Sequence, residues 1–307
     1  MSSPSPAALP DWLVSRLERS CRATLAAFAL EPAGPDRFRA SSEDARFPRI
    51  FGGLVLGQSL LAAARCVEER HAHSLHAHFL ESGRHDRPIL LEVERVRDGR
   101  SFATRRVRAL QDGEPILIAT VSFHRDEEGP EHGDAMPEAP PPEALPTLQE
   151  LVRRRPGEPG VAGHKWLEVP PPLEFRTAEA PRFLEGRPLE GPRLIWLRWP
   201  EPLPDDPALQ RALLAYASDY MLVDVVARQH AAGLEVMGAS LDHALWLHAP
   251  ARIDEWLLYV QDSPVARGGR GLAQGRFFTR AGALVASVCQ EVLVRRLAPG
   301  KRWHPPS

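Results

Sequence analysis

The stretch that decides the fold is Ile89–His124, ILLEVERVRDGRSFATRRVRALQDGEPILIATVSFH. Three strand-like runs, Ile89–Val96, Ser101–Leu110 and Ile116–His124, are separated by Asp98-Gly99 and Asp112-Gly113. Such dipeptides suit tight hairpin turns, because glycine, and aspartate at low cost, accept a positive φ. With Ser74–Leu80 ahead of them, the four runs read as an antiparallel meander. Hairpins exclude parallel crossovers, so a helix preceding this meander makes the class α+β.

Upstream, FGGLVLGQSLLAAARCVEER becomes a helix over Gly57–Arg70, rich in Ala and Leu and suited to burial. An earlier helix over Asp11–Leu30 carries Trp12, Leu13, Leu17, Leu25 and Phe28 as its apolar stripe and is stopped by Glu31-Pro32 and Gly34. The polar segment RFRASSEDARFPRI between them reads as a strand followed by a loop. Downstream, Arg125 to about Gly191 is acidic and then rich in proline, with one short helical piece near Leu145–Arg155. A segment of that composition is expected to hold no regular ladder and to run over the surface between two domains.

The second half then repeats the first in outline. A strand RLIWLRW, a helix over Ala208–His230 and strands at Ser240–Leu247, Trp256–Gln261, Gly271–Thr279 and Ala283–Arg295, the last pair joined at Ala281-Gly282, reproduce the same order. The interval Ser74–Thr120 differs by one residue from Ser240–Ser287. Order, turns and spacing together indicate an internal duplication.

Three polar side chains in the second half occupy places a core would keep apolar. In the helix, Ala212, Ala215, Asp219, Leu222 and Val226 recur at three- and four-residue spacing, which puts Asp219 on the buried face. A carboxylate there must be hydrogen bonded, stay protonated or face a pocket. Ser240 opens one strand and Gln290 sits inside another, each able to hold a water. Superposed by spacing, Gln290 falls opposite Phe123 and the helix of the first half offers Gln58 in place of the acid, so the trio exists once. Asp219 could take a proton from a water held by Ser240 and Gln290 while that water attacks an electrophilic carbonyl, and N–H groups at a helix start could polarise the carbonyl oxygen.

Other sites are weaker. No Gly-x-Ser-x-Gly elbow occurs. His71, His73, His76 and His78 alternate faces of a strand without acidic or cysteine neighbours, so no metal is assigned. Cys289 points away from Gln290 and reads as core; Asp242 and His243 point apart and read as structural. The composition, 43% hydrophobic and 25% charged over 307 residues, is that of a globular protein, and a net charge of -2 speaks against a nucleic-acid surface. Three separated cysteines, no apolar run near the roughly 20 residues of a membrane span and no leader-like N-terminus lead to an expectation of a cytoplasmic protein with no membrane attachment.

The blocks FGGLVLGQSL, HSLHAHFL, RVRDGRSFATRRVRALQDGEPI, LLAYASDYMLV, SLDHALWLH, DEWLLY and ARGGRGLAQGRFFTRAGALVASVCQE resemble the acyl-CoA thioesterase II family, the double hotdog thioesterases of bacteria and peroxisomes. The resemblance implies a tandem hotdog, two curled antiparallel sheets each wrapped around a long helix. Its expected parts are an N-terminal domain over residues 1–127, a linker over 128–190, a C-terminal domain carrying the catalytic residues over 191–297, and a tail over 298–307. It further implies hydrolysis of medium to long fatty acyl-CoA through a water activated by Asp219, Ser240 and Gln290, no cofactor, and a homo-oligomer. Many bacterial members have Thr where this chain has Ser240, and the peroxisomal branch is similar to it in using Ser. The C-terminus RWHPPS is not a peroxisomal Ser-Lys-Leu address. Two other readings compete: a hotdog enoyl-CoA hydratase or dehydratase, which needs an acid paired with a histidine, and a non-catalytic acyl-CoA-binding protein.

Overall fold

The computed structural model describes residues 9–43, 49–154, 161–179, 189–230 and 236–296; the tail expected over 298–307 lies outside them. The first half runs α1 (Asp11–Ala27), β1 (Glu31–Pro32), β2 (Arg37–Ala40), α2 (Gly52–Ala64), β3 (His71–Phe79), β4 (Ile89–Asp98), β5 (Phe102–Gln111) and β6 (Glu114–His124). Asp112 and Gly113 take positive φ, 51° and 91°, as the hairpin between β5 and β6 requires. The second half contains α3 (Leu148–Arg154), α4 (Val161–Glu168), β7 (Glu174–Arg176), β8 (Arg193–Arg198), α5 (Pro207–Ser218), α6 (Leu222–Ala227), β9 (Val236–Ser240), β10 (Asp242–Leu247), β11 (Leu257–Arg267), β12 (Arg270–Thr279) and β13 (Leu284–Arg296).

All pairings are antiparallel, and the strands follow the order β1-β2-β4-β5-β6-β3-β10-β13-β12-β11-β8-β7, with β9 on β13. The strands of each half are thus contiguous, and β3 against β10 is the seam. That seam is symmetric: Ser74 pairs with Trp246 and His78 with Asp242, about a centre at His76 and Ala244. Ser74 therefore corresponds to Asp242, two residues away from the equivalence with Ser240 that spacing alone indicated.

Helix α2 is buried from Gly53 through Ala63 and packs on β3–β6 and against α5. It begins five residues earlier than its Ala/Leu pattern indicates, because Gly52 and Gly53 belong to the helix rather than to a loop. Its glycines let the two helices touch. A Cβ on Gly53 would stand 2.4 Å from the Tyr216 carbonyl oxygen, and one on Gly57 2.6 Å from that of Ala212.

Two expectations fail. The helix expected over Ala208–His230 is two helices: α5 ends at Ser218, Asp219 is its C-cap, and Met221 adopts a left-handed φ of 67° before α6 starts. Periodicity runs through this break, since Leu222 and Val226 are buried in α6 as they would have been in one long helix. The proline-rich segment also holds a ladder, β7 on β8. Pro140 accepts a 2.8 Å hydrogen bond from Trp196 Nε1, and Met136, Ala139 and Leu145 pack on an outer cluster of Trp196, Trp256, Leu258, Val260 and Phe278.

Replacing a mid-helix glycine by alanine ordinarily stabilises a helix by about 1 kcal/mol. For Gly57→Ala the blocked approach of α5 dominates, and chemical denaturation is expected to show a net loss on the order of 1–3 kcal/mol, as for overpacked cores.

Candidate active site

The break after Ser218 turns Asp219 out of the helical ladder and aims it at the start of α2. The Gly53 N–H donates to Asp219 Oδ2 at 2.8 Å. Helix α2 has no side-chain cap of its own at Phe51, so a carboxylate from the other half caps it. A Cβ at Gly52 would lie 2.9 Å from the same oxygen, which accounts for a glycine there.

The turn carrying Asp219 is held from below by β11. Tyr259 donates its hydroxyl hydrogen to the Ser218 carbonyl at 2.6 Å, and Gln261 Nε2 donates to the Tyr220 carbonyl at 2.7 Å. Both side chains are buried. They are part of the site's scaffold that sequence reasoning missed; the signal was available, two polar residues at alternate positions of the apolar run LLYVQ.

Ser240, which ends β9 instead of opening a strand, meets Gln290 above the turn. Gln290, fully buried, donates from Nε2 to Ser240 Oγ at 2.8 Å. The two strands carrying them share a β-bulge: Ser240 pairs with Val292 and Ala244 with Cys289, so four steps along one strand match three along the other. Asp242 Oδ1 accepts the Glu291 N–H at 2.7 Å and fills the irregularity. The extra residue puts Ser240, Gln290 and His243 on one face.

His243 is the second missed residue. Strict alternation places it opposite Ser240, and only the bulge reverses that. Its Nδ1 lies 2.5 Å from Gln290 Oε1 and its Nε2 2.8 Å from Ser218 Oγ. Asp242 and His243 thus go to separate partners. Cys289, expected as core, is half-buried.

The three side chains singled out in the sequence are brought together. Asp219 is 8% exposed, and its Oδ1 has no hydrogen-bond partner among the described residues. Burial pushes its carboxyl up to about 7, against the opposing pull of the Gln290 amide, the Gly53 N–H and the Ser240 hydroxyl. Burial pushes His243 down to about 4, so its ring is neutral at pH 7. Asp219 and Ser240 open into a cavity of about 660 Å³, the size of a small-molecule site. Ile50, Phe51, Val55, Phe79 and Leu117 from the first half line it together with Trp166 of α4. Among the described residues no three His, Cys, Asp or Glu side chains gather as a metal site would need, and no helix is long and apolar enough to cross a membrane.

An antiparallel sheet carrying a buried helix is the layout of the hot dog class of folds, and here a buried carboxylate faces a largely apolar cavity. A structure from Alicyclobacillus acidocaldarius described as having a hot dog fold superposes with a TM-score of 0.71 at 24% identity, covering 90% of this chain and 99% of that one. The chain belongs to the acyl-CoA thioesterase II family. Residues 41–124 match the family model for an acyl-CoA thioesterase N-terminal domain and residues 168–293 the model for acyl-CoA thioesterase. Human acyl-coenzyme A thioesterase 8 is 35% identical over 276 residues, 87% of this chain and 86% of the relative. An acyl-CoA thioesterase II from Mycobacterium marinum is 41% identical, with a TM-score of 0.75 over 90% of this chain and 99% of that one.

A carboxyl raised in the folded state favours folding when protonated, and that stabilisation is lost as pH rises from the unfolded value near 4 through about 7. Asp219→Asn removes this dependence. The variant is expected to gain stability relative to the parent chain between pH 4 and pH 8, by about 4 kcal/mol from the size of the shift. Urea denaturation at the two pH values checks it, and equal changes in both proteins would refute it.

Proposed function

We propose that the chain hydrolyses fatty acyl-CoA of medium to long chain to a free fatty acid and CoA, with Asp219 as general base and Ser240 and Gln290 holding the water. The observation that carries this reading is the unpartnered Oδ1 of a buried carboxylate, opening on a cavity beside the Gln290–Ser240 hydrogen bond. Its other oxygen is anchored by Gly53, so the free one is fixed in direction. Water gives one proton to Oδ1 as its oxygen bonds to the thioester carbonyl carbon. The carbonyl re-forms as the carbon–sulfur bond breaks, and the proton passes from Asp219 to the leaving CoA sulfur. No covalent enzyme intermediate is needed.

Negative charge builds on the carbonyl oxygen during attack. The N-terminal end of α2, whose Gly53 N–H already holds Asp219, favours such charge through the helix dipole. The apolar lining supplied by Ile50, Val55, Phe79 and Leu117 suits an acyl chain.

In this reading the chain is a tandem hot dog. Residues 1–127 and 191–297 are two copies of one helix-on-sheet unit, residues 128–190 connect them, and the second copy alone supplies the base. The register of the seam supports it: the positions corresponding to Ser240 and Gln290 in the first half are Ala72 and Val121, and the C-cap of α2 is Arg65 where α5 has Asp219. A hydratase or dehydratase would pair the acid with a histidine, but both ring nitrogens of His243 are directed to Gln290 and Ser218.

Because the base must be ionised, kcat/KM for thiol release from acyl-CoA is expected to rise about tenfold per pH unit below pH 7 and level off above it. Asp219→Asn is expected to lower kcat on the order of 10²–10⁴-fold with the fold intact. Wild-type turnover in that variant, or saturable acyl-CoA binding by the parent chain without thiol release, would overturn the proposal.

A further inference from the structure

Gln290 can serve the site in two orientations. As it stands, Nε2 donates to Ser240 and Oε1 faces His243 Nδ1. Rotated by half a turn, it would present its carbonyl oxygen to Ser240 and withdraw its donor from the neighbourhood of Asp219. The two faces of a carboxamide are nearly equal in shape, so only hydrogen bonding distinguishes them.

The histidine supplies the distinction. An Nδ1 facing a carbonyl oxygen at 2.5 Å must carry hydrogen, because two lone pairs at that separation repel. A neutral ring with hydrogen on Nδ1 has a bare Nε2, which must then accept from the Ser218 hydroxyl 2.8 Å away. Ser218 Oγ also donates to the Ala215 carbonyl at 2.8 Å, so its one hydrogen is shared between that carbonyl and Nε2. If Ser218 donated to Ala215 alone, the ring would carry hydrogen on Nε2, and Gln290 would have to rotate. The choice made at Ser218, the residue before Asp219, therefore passes through His243 to the amide that faces Asp219.

We propose that His243 is a positioning residue: held in its Nδ1–H form by Ser218, it locks the Gln290 carboxamide with its donor toward Ser240 and Asp219. The idea rests on the thioesterase reading for its kinetic consequences but not for the tautomer itself. Burial keeps the ring neutral, so it carries one hydrogen, and the partners of its two nitrogens decide which of them holds it. Besides His243, the ionisable side chains around Asp219 are Tyr220 on its own turn and Tyr259 beneath it on β11, with Asp224 of α6 and Arg49 and Glu81 on the cavity wall. Burial holds the Tyr259 hydroxyl well above its ordinary range, and Asp224 is paired with Arg193. The Gln290 N–H near Asp219 lowers its carboxyl, so turning that donor away moves the acid limb of activity to higher pH.

The test uses the full chain labelled with nitrogen-15 histidine. The imidazole resonances absent from the spectrum of His243→Asn belong to His243, and they are expected to show the Nδ1–H form at pH 7; an Nε2–H form overturns the proposal whatever the enzyme's substrate. Kinetically, His243→Leu is expected to lower kcat for acyl-CoA on the order of tenfold, the effect of one unmet buried hydrogen bond, with KM unchanged and the acid limb shifted up. His243→Asn, which can place an N–H near the Nδ1 position, should recover much of the loss. Ser218→Ala, a small change at a buried site, should shift the limb in the same direction and serves if the leucine variant does not fold. A folded His243→Leu or Ser218→Ala protein with parental kcat and acid limb overturns the proposal, whereas a parent chain inactive on acyl-CoA would sink the thioesterase reading and leave the spectrum to decide the tautomer.

Discussion

The contact between the Gly53 N–H and Asp219 Oδ2 is the constraint on which the rest of the molecule depends. It joins the start of a helix in the first half to the end of a helix in the second, so the site exists only where the halves meet. The contact requires α2 and α5 to approach at backbone distance, which Gly53 and Gly57 permit. It also requires α5 to stop at Ser218. Asp219 keeps right-handed helical angles, and the chain departs at the left-handed Met221, which is strained on the order of 1–2 kcal/mol for a residue with a Cβ. Hydrogen bonds from Tyr259 and Gln261 to the backbone on either side of Asp219, each contributing about 1 kcal/mol net, are of the right size to offset that strain.

Burial and hydrogen bonding pull Asp219 in opposite directions, and burial wins. The Gly53 N–H bonded to one oxygen, with the Gln290 amide and the Ser240 hydroxyl nearby, would ordinarily drive the carboxyl below its usual range, yet burial pushes it up to about 7. The end of α5 adds to this in kind, since the C-terminal end of a helix disfavours negative charge. A carboxyl poised near neutrality is ionised often enough to accept a proton and basic enough to hold it, which is what general base chemistry at pH 7 asks for. With Asp219 as the proposed base, function and stability are opposed at this one position.

Of the two expected Asp-Gly turns, Asp112-Gly113 takes two positive φ angles, whereas Asp98 still belongs to β4 and neither it nor Gly99 takes one. The trio was legible because polar side chains interrupted apolar patterns. What stayed hidden depended on geometry that leaves no periodic trace. The break at Asp219 keeps Leu222 and Val226 buried on schedule, so a helix pattern reads straight through it. The bulge between Ser240 and Ala244 shifts the face of every later residue by one, and nothing in SLDHALW marks where the extra residue is absorbed. His243 was misplaced for that reason alone. The linker was misjudged on composition, because its prolines spare the short β7 and lie along the outer tryptophans instead of clear of the sheet.

The symmetry of the seam sharpens the meaning of the single site. The sheet treats the halves alike, with His76 and Ala244 at the centre of a shared register, and α2 and α5 face each other across the same contact. A site related by the two-fold of the seam would need an acid at the C-cap of α2, a hydroxyl at position 72 and an amide at position 121; the chain has Arg65, Ala72 and Val121. Val121 is fully buried and Ala72 nearly so, so that end of the seam is packed rather than left polar. The first half instead supplies the start of α2 and much of the apolar wall of the cavity. In the proposed reading one half provides the reactive groups, while the other caps the carboxylate and encloses the space in front of it.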